Sequence, residues 1–213
     1  MRARIVAGLV PAAYLLVAVC LLAWYLTGQQ ADSRGDAATA RAQRALTGQV
    51  PEAEVAGSRL HDRRTPTATP AAVGHALATM RIPRFGADWR WTALEGTADW
   101  VIADGPGHYE GTALPGEQGN AAFAGHRAGH GDPFIDFDLL RPGDRVHLSQ
   151  GRTTWTYRLT TAPEIIELTD VWVLDPLPGR QLTLTTCWPK YGSAKRMFVR
   201  GTLVHVTVAP SAG

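Results

Sequence analysis

Residues 181–208 read QLTLTTCWPKYGSAKRMFVRGTLVHVTV, and the way this stretch folds decides the architecture. QLTLTT (181–186) alternates apolar and polar residues, the period of a half-buried strand, and MFVRGTLVHVTV (197–208) forms one or two more. Working outward, RTTWTYRLT (152–160) alternates in the same way, and shorter strands are expected at Trp89–Thr92, Asn120–Ala124 and Arg145–Leu148. Glycine and proline separate them. GPGHYEGTALPGEQGN (105–120) reads as a long loop and RPGD (141–144) as a turn. Past residue 80 no long helical period is visible, and PFIDFDLL (133–140) is the candidate for one short helix. Evenly spaced strands without helices between them predict a mostly β chain that closes, or nearly closes, into a barrel.

At 213 residues, 45% hydrophobic and 19% charged, the chain accommodates one ordinary domain plus accessory segments. Ile5 to Leu26 is an uninterrupted apolar run of 22 residues without a charge, long enough to cross about 30 Å of hydrocarbon. It exceeds a signal-peptide core and lacks a small-residue cleavage site, so it reads as an uncleaved anchor. Arg2 and Arg4 precede the run, which places residues 1–4 in the cytoplasm and the rest outside. Residues 27–79 hold few large apolar side chains, and TPTATPAA (65–72) reads as an extended tether. The organisation expected is therefore an anchor (5–26), an extracytoplasmic linker (27–79), a β domain (80–208) and a tail (209–213). The net charge of +2 is unevenly spread, and the β domain is almost neutral, with 13 Lys or Arg against 14 Asp or Glu from residue 80. Such a balance excludes the dense basic surface that nucleic-acid binding needs.

Cys187 stands at the end of a predicted strand and before the loop WPKYG, a position both rigid and accessible. A free thiol, with pKa about 8.5, needs a basic or cationic partner to act as a nucleophile near neutrality. Of the seven histidines, His126 has the best setting: NAAFAGHR ends a strand with a glycine and then presents His and Arg at the rim. His130 follows at the spacing of a helical metal pair, but Gly125, Gly129 and Gly131 argue against a helix there, and no third ligand follows. Asp132, Asp136 and Asp138 read as acids on a solvated turn. No metal and no cofactor is expected. A hairpin between the last two strands brings Arg196 back towards Cys187, with Arg200 the rival on the same face but deeper.

These residues resemble the motifs of the sortases, the cysteine transpeptidases of Gram-positive surfaces. LTLTTC (182–187) resembles their cysteine signature, AGHR (124–127) their histidine motif and KRMFV (195–199) their arginine segment. GPGHYEGTALPGEQGNAAFAGHR, LRPGD, TDVWVLDP and LTLTTCWPKYG are similar to class E members from high-GC actinobacteria, whose genomes the 19 Arg against 2 Lys would suit. One departure is Trp188, where class E often has His directly after the cysteine. Asp132-Pro133-Phe134 follows the histidine and so does not match the lid of the pilus-building class.

The resemblance implies a closed barrel of about eight strands with short helices. It also implies that Cys187 attacks the Thr–Gly carbonyl of a sorting signal on surface proteins, LAxTG-like as in class E, with LPxTG the alternative. His126 would protonate the leaving amine and then deprotonate the incoming amine of a peptidoglycan precursor, and Arg196 would hydrogen-bond substrate or oxyanion. Tyr109 resembles the tyrosine with which this class reads the signal's alanine, and Thr186 would shape the floor beside the nucleophile. Two other readings remain: a catalytically silent module that binds sorting signals or wall polymers, and a simple thiol peptidase.

Overall fold

The computed structural model describes residues 65–210. The expected anchor at 5–26 and most of the expected linker lie outside the described residues. The described residues form nine strands: β1 (Ala76–Arg81), β2 (Arg90–Glu95), β3 (Gly107–His108), β4 (Gly119–Ala124), β5 (Arg145–Gln150), β6 (Thr153–Leu159), β7 (Glu164–Ile166), β8 (Arg180–Trp188) and β9 (Lys195–Val208). Hydrogen bonding runs β6-β5-β1-β2-β3-β4-β8-β9, and β9 returns to β6, so eight strands close a barrel while β7 adds to the edge of β9. β9 makes closure possible because it is 14 residues long. It pairs with β8 over Lys195–Thr202 and with β6 over Gly201–Val208.

Alternation places one face of each strand inside. Phe123, Val146, Leu148, Trp155, Tyr157, Leu182, Leu184 and Val199 are all buried in one core, each worth about 1.5–3 kcal/mol relative to exposure. The Tyr157 hydroxyl accepts a 2.9 Å bond from the Gly116 amide, and burial raises its pKa to about 12. Strands occur at each of the expected places 89–92, 120–124, 145–148, 152–160 and 181–186 with bounds shifted by a few residues, and 197–208 is part of a single strand.

Two local features differ from the sequence reading. The first strand begins ahead of residue 80. β1 starts at Ala76, and its register with β2 slips by one residue between Ala76 and Ala78, so both Leu77 and Ala78 are buried. A bulge of this kind destroys the period-2 pattern by which a strand is recognised. The TPTATPAA segment is packed rather than free: Trp155 Nε1 donates to Pro66 O at 2.7 Å, Thr69 N donates to Gln150 Oε1 at 2.6 Å, and Ala68 is buried. A buried indole N–H needs an acceptor, and this segment's backbone supplies it. The second change is at 133–140, where only Phe137–Leu139 forms a single 3-10 turn. Phe134 and Phe137 pack into the core, with Trp89 stacked on Phe134 at 6.3 Å. The short helix α1 (Asp99–Ile102) was not foreseen.

Candidate active site

β8 divides its side chains between two faces. Leu182, Leu184 and Thr186 face inward, whereas Thr183, Thr185 and Cys187 face outward, opposite Arg200, Phe198 and Arg196 of β9. Directly opposed residues of an antiparallel pair share a face, so Cys187 and Arg196 meet on the outer surface of the barrel. Arg196 is half-buried, and its Nη1 donates to the carbonyls of Ser193 (3.3 Å) and Lys195 (3.2 Å). Arg200 lies opposite Thr183, with its guanidinium 5.1 Å from the Trp172 ring and 5.6 Å from that of Phe198. The two arginines that the sequence left in competition are thus separated by their neighbours.

β4 runs parallel to β8 with Ala124 beside Thr185. Gly125 continues the connection: its amide donates to Thr185 O at 3.1 Å, and its carbonyl accepts from Thr186 Oγ1 at 2.8 Å. His126 therefore leaves the strand at the level of Cys187. A Cβ on Gly125 would come 2.6 Å from the Phe134 ring, so only glycine admits this approach. The loop then turns back, with Phe134 N donating to His126 O at 3.0 Å and Gly129 N to Asp132 Oδ1 at 2.6 Å.

The half-buried His126 ring stacks on His130 at 4.3 Å, inclined by 25°. Burial pushes the His126 pKa below 6.5, and the neighbouring His130 adds to this. The Asp99 carboxylate at the start of α1 pulls it up, and Arg196 pushes it down. Thiol, imidazole and guanidinium thus share one rim, where a nucleophile, a proton carrier and an oxyanion donor could act together.

Tyr109 reaches the same face, its hydroxyl 3.0 Å from Thr185 Oγ1. Thr186 is buried on the inner face of β8 with its hydroxyl bonded to Gly125 O, so it supports the His126 loop from behind. The strand alternation that turns Cys187 outward turns Thr186 inward, and Thr185 shares the face of Cys187.

Sequence reasoning overlooked Asp99 and gave Arg127 no role beyond its place at the rim. Arg127 is 2% exposed and lies over Trp188, and it donates at 2.7 Å to Asp138, which stands on the exposed 3-10 turn as the sequence suggested. Its position directly after the histidine was visible; its burial was not. Among the described residues, no group of three or more His, Cys, Asp or Glu is arranged to hold a metal.

A family model described as the sortase domain matches residues 80–204. Sortase SrtE1 of Streptomyces coelicolor is 34% identical over 174 residues, covering 72% of this chain and 48% of its own length. Sortase SrtE2 of the same organism is 33% identical over 125 residues, covering 52% and 49%. The chain spans about half the length of these two relatives. The structure of sortase E from Streptomyces avermitilis superposes with a TM-score of 0.61 at 44% identity, over 65% of this chain and 93% of that one.

Proposed function

Because the chain belongs to the sortase family, we propose that it is a class E cysteine transpeptidase whose working group is Cys187, His126 and Arg196. The observation that carries this reading is the direct pairing of Cys187 with Arg196 across β8 and β9, beside a loop that delivers His126 through Gly125.

In this reading the Cys187 thiolate attacks the carbonyl between Thr and Gly of an LAxTG-like sorting signal. The His126 imidazolium protonates the departing glycine amine, leaving a thioacyl enzyme. Neutral His126 then takes a proton from the amine of a peptidoglycan precursor as that amine displaces the thiolate. The Arg196 guanidinium stabilises the oxyanion in both steps. Burial disfavours the imidazolium form of His126 that protonates the departing amine. Tyr109, held against Thr185, lines the path where the residue before the signal's variable position lies. Membrane attachment through residues 5–26, with the barrel outside the cell, would place the enzyme beside its precursor.

The test uses the full-length chain with quenched LAxTG and LPxTG peptides, with and without a small amine. Cleavage abolished by Cys187→Ala and by His126→Ala, with an amine adduct in the product, supports transpeptidation. Hydrolysis without adduct would make it a thiol peptidase. Peptide binding without any cleavage would make it a binding module.

A further inference from the structure

Arg127 follows His126 in the chain, and Trp188 follows Cys187. In space the Arg127 guanidinium lies 5.0 Å from the centre of the Trp188 ring. Its environment is unusual for a side chain that is 2% exposed. One nitrogen donates to Asp138 Oδ1 at 2.7 Å, while Nε and Nη1 are buried without a hydrogen-bond partner. A buried guanidinium ordinarily engages its planar donors with carboxylates or carbonyls. Here the electron-rich face of Trp188 compensates. Asp138 has a second cation, Lys190 Nζ at 3.7 Å, contributed by the loop that follows the nucleophile. The loop after His126 and the loop after Cys187 are therefore joined twice, by Arg127 on Trp188 and by Lys190 at Asp138.

The backbone alone does not continue this connection. The ladder between β4 and β8 ends at Ala124 and Thr185, and Gly125 adds the bonds to Thr185 and Thr186. Beyond that point the side chains of Arg127 and Trp188 take over.

We propose that the Arg127–Trp188 stack is a positioning contact for the reaction, fixing the separation of His126 and Cys187 by clamping the residue that follows each. The proposal rests on the assignment of His126 and Cys187 as the reacting pair. It also gives a purpose to Trp188, which differs from the His common in the class.

The experiment compares Trp188→Ala, Trp188→Phe, Arg127→Met and the Arg127→Met/Trp188→Ala double variant in the full-length chain, with Cys187→Ala as blank. Thermal midpoints establish folding, and Trp188→Phe and Arg127→Lys serve if the harsher variants do not fold. Arg127→Lys keeps the charge but loses the planar stack. Trp188→Ala and Arg127→Met are each expected to lower kcat about tenfold or more, with KM within about twofold, because small misplacements of reacting groups are costly. Trp188→Phe, which keeps an aromatic face, should stay within about threefold of the parent. The double variant should be no worse than the weaker single one, since both remove one contact. Losses that multiply, a change in KM alone, or equal damage from Phe and Ala would overturn the proposal. Alkylation of Cys187 by iodoacetamide as a function of pH needs no peptide, and the clamp predicts the same shift in that profile for Trp188→Ala and Arg127→Met. If no peptide is cleaved by the parent, the transpeptidase reading fails, whereas an unchanged alkylation profile overturns the clamp.

Discussion

Cys187 and Arg196 are direct partners across the β8–β9 ladder, whereas Arg200 stands opposite Thr183, deeper along the same face. Arg200 is engaged by Trp172 and Phe198, so only Arg196 is placed beside the thiol. Arg196→Ala is expected to lower kcat about 10²–10³-fold, the size of losing one oxyanion donor. Arg200→Ala should leave kcat within a few-fold but cost about 0.5–2 kcal/mol of stability through its lost aromatic contacts. Steady-state kinetics and thermal unfolding of both variants check this, and the reverse pattern would reassign the arginine.

Among the described residues, Asp99 is the one neighbour that raises the His126 pKa, against burial, His130 and Arg196. Removing its charge with Asp99→Asn lowers that pKa further. For a thiolate–imidazolium mechanism, the acid limb of kcat/KM then moves to lower pH and the plateau falls by the same factor. The two curves coincide on the acid side, where the active fraction depends on the thiol alone. These limbs belong to the coupled pair. A pH profile identical to the parent's would show that Asp99 does not act on His126.

Gly125→Ala places a methyl 2.6 Å from the Phe134 ring, within a loop whose backbone bonds position His126. Overpacking of this kind costs about 1–3 kcal/mol. The expected result is a lower thermal midpoint together with a lower kcat, because relief of the clash must displace either Phe134 or the loop. Calorimetry and kinetics on one preparation test it. A variant with parental values in both would mean that the ring moves freely.

Trp155→Phe removes the indole N–H that holds Pro66 O. The loss is about 0.5–1.5 kcal/mol, the net worth of one hydrogen bond, and it falls locally on the 65–72 segment. Limited proteolysis should therefore cut that segment faster while the barrel stays resistant. Equal cleavage of both proteins would show that the contacts of Thr69 and Ala68 suffice without it.

Much of the site was legible because its chemistry is carried by residue types at strand ends. Cys187 ends an alternating run, and His126 follows a run closed by glycine, so their elements could be read locally. Arg196 and Arg200 could not be separated locally, since both satisfy the alternation of one strand and only the register with β8 distinguishes them. Thr186 adjoins the nucleophile in sequence, but strand alternation turns the two side chains to opposite faces, and Thr185 shares the face of Cys187. Asp99 gave no signal, and Trp188 stood out only as a departure from the class pattern, since the groups they act on are remote in the chain.

The strands β4, β5, β6, β8 and β9 follow from local period and turn chemistry, because a half-buried strand writes its burial into every second residue. β1 escaped this logic at the Leu77 bulge, β3 is two residues long, and the packed tether consists of small residues that carry no period. Closure of β9 onto β6, the parallel alignment of β4 with β8, and the meeting of Arg127 with Trp188 were decided only by tertiary structure. Each is a contact between segments far apart in the chain, and neither partner's local sequence specifies the other.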